Sequence, residues 1–537
     1  MVTGQTTDPE RALRMFLDSH LQKVEPLFKE YNLAAWNAAL SGKTEDFQKS
    51  ADLDLKIRTI YSNREEFAAV KAWKQGGKIK DPLLARQLEI VYLSYLPNQI
   101  DPDLLKQMVQ QAAKVEEKFN TFRGTYQGRT VTSNEIKDML KTLTDSDLRR
   151  QAWEASQQVG AAVAPDVLTL VKLRNQSARQ LGFSNFHTMS LEVTEQSVPQ
   201  IDAIFSELAR LTDKPFAALK AELDKTLAPR YSVSPEQIRP WHYHDPFFQE
   251  VPAVLDVDFD SYYKGKDIIA MATQFYAGIG LPVENILRRS DLYERPGKNP
   301  HAFCTDIDRL GDVRIVLNLK DDERWMDTTL HELGHGVYAF YNSPQVPYLL
   351  RNQAHSFTTE AIAMFFGRLS VNPEWMKAML QLTDDQARKV AGDSEKMLRY
   401  KQLVFARWAM VMYEFEKRLY ADPDQDLNAL WWQIKKKYQF QNSPEGRNQP
   451  DWAAKIHIVT VPCYYHNYLL GELLASQLYH KLATDNIPAG LVGQPKVGQF
   501  LRTSVFEPGM IYPWNEMIRR ATGEELTAKY FAAQFVK

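Results

Sequence analysis

The stretch DTTLHELGHGVYAFY (327–341) places His331 and His335 four positions apart, with Glu332 directly after the first. An α-helix has 3.6 residues per turn, so this spacing brings both imidazoles to one face. Neutral imidazoles and carboxylates are common ligands of a catalytic zinc ion that keeps one position open. Such an ion lowers the pKa of a bound water to about 7, and Glu332 can take the proton. The stretch therefore predicts a helical zinc site with Glu332 as general base, although a chance pattern on a solvated helix is the alternative.

A third protein ligand is expected downstream of this helix. The metzincin pattern requires a histidine at position 341, but Tyr341 stands there, which excludes that class. No acidic residue occurs from 336 to 359, and Glu360 then follows in SFTTEAIAMFFGRL (356–369). We expect this segment to be a new helix with Glu360 on its first turn. Stabilisation of the helix dipole would explain a first-turn glutamate, but not the acid-free gap before it. Glu360 is therefore predicted to bind one zinc ion together with the two histidines.

Most other segments have apolar residues at helical spacing, with charged residues between them. Examples are 51–73, 102–122, 133–143 and 201–227. Asp101–Pro102 and Thr132 or Ser133 are helix-start signals for two of them. AFCTDIDRLGDVRIVLNL (302–319) differs, because it has two short strand-like runs around a turn at 308–311. The pattern predicts a mainly α-helical protein with a small β-sheet beside the metal site.

Length and composition restrict the class of protein. A chain of 537 residues exceeds the usual single-core size, so two or more lobes are expected. Lys and Arg number 65 against 67 Asp and Glu, which implies no basic face and argues against a nucleic-acid partner. The two cysteines, Cys304 and Cys463, cannot form a disulfide framework and leave the redox compartment undecided.

The sequence contains no apolar stretch near the ~18 residues that a membrane span needs. Its start, MVTGQTTDPE, lacks an apolar signal-peptide core. The compartment stays open: a cytoplasmic protein and the mature form of an exported protein both fit. We expect residues 1–10 to be a flexible N-terminus and residues 11–537 to be a single two-lobed catalytic domain. The oligomeric state is not predicted.

These motifs resemble the angiotensin-converting-enzyme family of peptidyl dipeptidases and, more distantly, the thimet-oligopeptidase family. HELGH and the glutamate in TTEAIAMFF are similar to the family's HExxH helix and its later Glu helix. NPHAFCTDI (299–307) resembles the strand that lines the substrate cleft, and LWWQIKKKYQ (430–439) resembles the family's Trp-Trp…Lys-Tyr-Gln helix. KIHIVTVPCYYHNYLLGELLASQ (455–477) resembles its Lys-x-His segment and the tyrosine-bearing helix that follows. With 31–40 and 170–186, the resemblance covers most of the chain.

The resemblance implies a zincin-like fold with a deep cleft between two helical lobes. It implies that Tyr468 and His457 stabilise the oxyanion, which needs hydrogen-bond donors where charge develops. Pro462 can start a helix that has Tyr465 and Tyr468 on one face.

The resemblance also implies substrate contacts. Lys455 and Tyr465 would bind the terminal carboxylate of the peptide. His301 and the backbone of Ala302 would align the substrate as an added strand. Any one of these histidines or tyrosines alone is more often structural, so the order of the segments carries the prediction.

Four features depart from the family pattern. An aspartate that supports a zinc-binding histidine is Met364 here, so another group must orient that ring. The arginine of chloride-activated relatives is Asn467, which argues against chloride activation. A glutamine that helps to bind the terminal carboxylate has no clear counterpart; segment 240–249 occupies the region, with Tyr243 as the candidate. The Lys-to-Tyr spacing has one extra residue.

We therefore expect a zinc metallopeptidase that hydrolyses oligopeptides and releases dipeptides from the C-terminus. One alternative is an oligopeptidase that cuts short peptides internally. Another is a non-catalytic peptide-binding protein with the same fold, against which the intact Glu332 argues.

Overall fold

The computed structural model describes residues 8–252, 254–255 and 257–536. The helices before residue 250 are α1 (Pro9–Ser41), α2 (Thr44–Tyr61), α3 (Arg64–Gly76), α4 (Pro82–Tyr95), α5 (Pro102–Thr121), α6 (Ser133–Thr142), α7 (Ser146–Gln180), α8 (Phe186–Glu192) and α9 (Val198–Leu227). The later helices are α10 (Asp260–Tyr263), α11 (Ile268–Gly278), α12 (Glu284–Leu287), α13 (Glu323–Phe340), α14 (Ser356–Gly367), α15 (Pro373–Leu380), α16 (Asp384–Ala421), α17 (Leu427–Gln439), α18 (Ile456–Thr460), α19 (His466–Thr484), α20 (Pro495–Leu501), α21 (Trp514–Thr522) and α22 (Lys529–Phe535). The strands are β1 (Gly124–Tyr126), β2 (Arg129–Val131), β3 (Phe303–Asp306) and β4 (Val313–Val316).

This inventory confirms the mainly α-helical prediction. Within the described residues the strands form two antiparallel pairs, β1–β2 and β3–β4. The described helices include none that combines the length and apolar character needed to cross a membrane. Residues 1–7 of the expected flexible N-terminus lie outside the described residues, and α1 begins at Pro9.

Local capping chemistry explains where several helices begin. Asp101 accepts hydrogen bonds from the backbone N–H groups of Asp103 and Leu104, and Thr132 forms a capping box that starts α6. The prediction of one continuous helix over 51–73 is wrong. The chain leaves the helix after Tyr61, and the side chain of Asn63 caps the start of α3. A capping side chain satisfies N–H groups that would otherwise lack partners at a helix start, which favours two helices here.

The described residues divide into two compact units. Unit 1 takes its residues from Met1–Gln99, Asp258–Gly392 and Gly471–Leu526. Unit 2 takes its residues from Ile100–Val257, Asp393–Leu470 and Thr527–Lys537. That both units form one catalytic domain stays a prediction.

In unit 1, α13 buries one apolar face, formed by Met326, Leu330, Leu333 and Val337. This spacing of three and four follows the helical period. Gly334 allows α14 to approach closely: a Cβ there would lie 2.8 Å from the Cα of Ala363. The two helices that carry the predicted metal ligands are therefore packed backbone against backbone.

The predicted hairpin is also present in unit 1. Strands β3 and β4 pair antiparallel, with Phe303 opposite Val316. Their turn has positive φ values at Arg309 and Gly311, and the side chain of Asp306 accepts the N–H of Arg309. Strand β3 lies beside α13, since a Cβ at Gly336 would be 4.0 Å from the Sγ of Cys304.

Candidate metal centre and peptide-binding residues

Three predicted metal ligands converge in unit 1. The Oε2 atom of Glu360 lies 3.7 Å from Nε2 of His331 and 3.8 Å from Nε2 of His335. One potential ligand atom from each residue can be chosen so that all three lie within 4.8 Å of one another. The helical spacing on α13 supplies the two imidazoles, and the neighbouring helix α14 supplies the carboxylate.

These distances fit a zinc ion. Ligand bonds of about 2.0–2.1 Å in a tetrahedron put ligand atoms about 3.4 Å apart. The carboxylate-to-imidazole distances are a few tenths of an ångström longer, which small side-chain rotations would correct. Burial, and then the charge of His331, lower the pKa of His335 to about 3, so its ring is neutral. Neutral imidazole is the form that binds metal.

Thr359 orients one of the two imidazoles. Its Oγ1 lies 2.7 Å from Nδ1 of His335. With Nε2 directed towards Glu360, Nδ1 carries the proton and donates to the hydroxyl group. The sequence left open which group replaces the aspartate missing at Met364, and Thr359 performs that kind of orientation for His335.

Glu332 is buried on the same helix, with 7% of its surface exposed. Its Oε2 atom has no hydrogen-bond partner among the described residues. Burial, and then the carboxylate of Glu360, raise the pKa of Glu332 to about 8. A buried carboxylate oxygen without a partner is costly. A nearby cation and a water molecule would compensate it, so the surroundings of Glu332 also fit a metal centre.

Glu360 lies deeper in its helix than expected. Helix α14 begins at Ser356 with His355 as its cap, so Glu360 is beyond the first turn and dipole stabilisation does not explain it. Burial, and then the charge of Glu472, raise the pKa of Glu360 to about 7. Arg368 pairs with Glu472 and holds that second carboxylate. The N-terminal position predicted for Glu360 is therefore wrong.

His301 and Ala302 immediately precede β3 in unit 1. The side chain of His301 is exposed and Ala302 is partly buried. Within the described residues, β3 pairs with β4 and with no other strand. The opposite edge of β3 is therefore not used by a third described strand.

In unit 2, the ring of Tyr465 contacts two other rings, those of His457 and Tyr468. The ring centroids of His457 and Tyr465 are 4.9 Å apart, and those of Tyr465 and Tyr468 are 5.4 Å apart. Burial, and then the charge of Lys455, lower the pKa of His457 to about 4, so this imidazole is neutral. The expected common helix is wrong, because α19 begins at His466 and Tyr465 lies in the preceding turn.

Lys455 is buried beside Gln249, also in unit 2. Its Nζ donates a hydrogen bond of 2.5 Å to Oε1 of Gln249. Burial lowers the pKa of Lys455 to about 8, against the opposing charges of Asp245 and Glu250. Tyr243, the candidate from the sequence, is buried and donates instead to Asp224. The residue in segment 240–249 that accompanies Lys455 is Gln249, which sequence reasoning missed.

Asn467 takes part in a buried hydrogen-bond network. Its Oδ1 accepts a 2.8 Å hydrogen bond from Nε2 of Gln196, whose Oε1 lies 2.8 Å from Nε2 of His466. Asn467, at the position where the resemblance implies an arginine in chloride-activated relatives, is therefore a hydrogen-bonded amide.

A helix with the HExxH pattern and a carboxylate from a neighbouring helix form the donor set of a metallopeptidase centre. A family model described as angiotensin-converting enzyme matches residues 7–535. The chain belongs to the angiotensin-converting enzyme family. This finding confirms the resemblance inferred from the sequence motifs.

Three curated relatives, each named angiotensin-converting enzyme, show how distant the similarity is. The protein of Theromyzon tessulatum is 24% identical over 51% of this chain and 45% of its own length. The protein of Rattus norvegicus is 23% identical over 70% of this chain and 31% of its own length. The protein of Oryctolagus cuniculus is 22% identical over 97% of this chain and 42% of its own length. The chain therefore spans less than half of each of these relatives.

Proposed function

We propose that this protein is a zinc-dependent peptidase that hydrolyses oligopeptides and releases dipeptides from their C-termini. The observation that carries the proposal is the convergence of His331, His335 and Glu360 beside the buried Glu332. These three residues would hold one zinc ion. When bound, the ion supplies Lewis acidity and a water of lowered pKa.

Glu332 acts as the general base and then as the proton donor to the leaving amine. A group with a pKa near the working pH can both accept and return a proton. Burial raises the pKa of Glu332 to about 8, and a neighbouring cation would lower that pKa.

Tyr468 and His457 act as hydrogen-bond donors to the oxyanion. The low pKa of His457 supports a neutral ring that donates through one nitrogen without carrying a charge. The contact of Tyr465 with both rings supports a fixed orientation for the two donors. Fixed donors are effective because they need little reorganisation as charge develops.

Lys455, Gln249 and Tyr465 bind the terminal carboxylate of the peptide. The ammonium of Lys455 is buried, and among the described residues it forms no ion pair, with the neutral Gln249 as its hydrogen-bond partner. A buried ammonium group whose hydrogen-bond partner is a neutral amide can still pair with a carboxylate. This feature supports recognition of a free C-terminus.

His301 and Ala302 align the peptide along β3. Main-chain groups at a strand edge can hydrogen-bond with an extended peptide, largely independently of its side chains. The edge of β3 that faces away from β4 supports this role, since no other described strand pairs with it.

Product analysis separates this proposal from an internally cleaving oligopeptidase. The zinc-loaded protein is incubated with a peptide of about ten residues and, separately, with its C-terminal amide, and the products are identified by mass spectrometry. Successive loss of C-terminal dipeptides from the free peptide, abolished by the amide, supports the proposal. Internal cuts that are equally fast in both peptides would contradict it.

A further inference from the structure

The segment that carries Gln249 has no helix or strand to fix its backbone. Between Asp245 and Glu250 the chain forms turns, and Phe248 has a φ of 54°. The carboxylate of Asp245 accepts N–H groups of Phe247 at 2.9 Å, Gln249 at 3.1 Å and Glu250 at 3.1 Å. One buried side chain therefore binds three N–H groups of this segment, while the carbonyl groups need other partners.

Helix α17 supplies partners for two of these carbonyl groups. Nζ of Lys435 donates to the carbonyl oxygen of Phe247 at 2.7 Å. Nε2 of Gln439 donates to the carbonyl oxygen of Phe248 at 2.6 Å. The two donors are four residues apart, so they lie on the same face of the helix. Their targets are the two residues directly before Gln249.

Lys435 is an unusual residue to bury for packing alone. Its side chain lies near the rings of Trp408 and Trp431, with Nζ 5.2 Å and 5.8 Å from their centroids. Burial lowers the pKa of Lys435 to about 7, although the charges of Asp245 and Asp451 oppose the shift. A methionine would fill similar space without the cost of burying an ammonium group. The Nζ donor therefore explains why a lysine stands at this position, and that donor is directed at the segment that carries Gln249.

We propose that Lys435 and Gln439 are positioning residues that hold Gln249 against Lys455, and thereby set the affinity for the free carboxylate of a peptide C-terminus. The inference rests on the proposed function. It assigns to the LWWQIKKKYQ segment (430–439) a positioning role that involves no contact with the substrate. A carboxylate at Lys455 needs its second donor, the amide of Gln249, within hydrogen-bond distance. Displacement of the segment by less than 1 Å weakens that bond.

The test measures binding of alanyl-alanine and its C-terminal amide to the zinc-loaded protein by calorimetry. Lys435→Met is compared with Lys436→Met, which changes the exposed neighbouring lysine of the same helix. Lys435→Met should weaken binding of the free dipeptide about tenfold, as expected for one lost hydrogen bond. Binding of the amide should change less than twofold, and Lys436→Met should behave as the unmodified protein.

A double-mutant cycle separates positioning from a general structural effect. In a Gln249→Leu background, Lys435→Met should cause no further loss of affinity for the free dipeptide. A further tenfold loss there, or an equal loss for dipeptide and amide in Lys435→Met alone, would overturn the inference. If circular dichroism shows that Lys435→Met is unfolded, Gln439→Leu is tested in its place. This variant removes the second donor to the segment, and the same changes in affinity are expected.

The outcomes also distinguish this inference from the proposed function. If the unmodified protein binds the dipeptide and its amide equally, the proposed carboxylate recognition fails and the inference fails with it. If the unmodified protein prefers the dipeptide but Lys435→Met matches Lys436→Met, only the inference fails.

Discussion

The Nδ1 atom of His335 lies 2.7 Å from the Oγ1 atom of Thr359, the residue directly before Glu360. This contact links the imidazole of α13 to the helix that carries the third candidate ligand. It fixes the ring orientation, and it leaves Nε2 for the metal. The hydroxyl group thus has the orienting role for which the family pattern offers an aspartate near position 364.

Replacement of Thr359 by valine should weaken zinc binding. Valine keeps the volume but removes the hydroxyl that accepts from His335, and loss of such a group typically costs 10- to 100-fold in metal affinity. The zinc dissociation constant is measured by competition with a chelator. Thr329→Val is the control, since that hydroxyl donates to the backbone of α13 at Trp325. Equal zinc affinity for Thr359→Val and the unmodified protein would contradict the role of Thr359.

Replacement of Gly334 by alanine should destabilise unit 1 and weaken zinc binding. The new methyl group would meet the backbone of Ala363 at 2.8 Å, and backbone cannot move aside without separating α13 from α14. Overpacking of this kind costs about 1–3 kcal/mol of unfolding free energy. Urea denaturation measures the loss.

Gly392→Ala is the matched control for this prediction. Gly392 lies inside α16 with open space where a Cβ would lie, so alanine should stabilise the helix by up to about 1 kcal/mol. If Gly334→Ala unfolds at the same urea concentration as the unmodified protein, the close approach of the two helices is not required.

Affinity for a free C-terminal carboxylate should fall above about pH 8. Burial lowers the pKa of Lys455 to about 8, and a bound carboxylate favours the protonated amine. The affinity is therefore constant below that pH and decreases as the free protein loses the proton above it. Calorimetry of dipeptide binding from pH 6 to pH 10 gives the profile. Lys455→Arg should remove the decline, because arginine stays charged throughout this range. If the affinity of Lys455→Arg declines in the same way, the titration of another group causes the decline.

The sequence predicted the parts of the fold and site that depend on local patterns. The helical periods, the hairpin at 302–319 and the spacing of His331 and His335 each follow from neighbours in the chain. The link to Glu360 came from an acid-free gap, and in unit 1 its carboxylate does meet the two imidazoles.

Features that depend on contacts distant in sequence were missed. Gln249 and Lys455 are separated by 206 positions, and no local pattern shows that they meet. Tyr243, the residue expected in this role, is instead buried and donates to Asp224, which also lies outside any local pattern. Thr359 has no signal of its own, because its contact with His335 spans 24 positions and no local pattern shows it. The break at Asn63 could have been found from its preference for helix caps.

Replacement of Glu332 by glutamine should separate metal binding from catalysis. The change keeps the shape of the side chain and leaves all three candidate ligands in place, but an amide cannot accept the proton. Zinc content should be unchanged while kcat falls by about 10²- to 10⁴-fold. Unchanged turnover, measured with a peptide that the unmodified protein cleaves, would exclude Glu332 as the general base.

Metal analysis combined with peptide hydrolysis tests the account most directly. The purified protein is assayed for bound zinc, treated with a chelator, and assayed again before and after zinc is restored. We predict one zinc ion per chain, loss of hydrolysis on chelation and recovery when zinc is added. A purified protein that contains no metal and stays inactive after zinc is added would contradict the account.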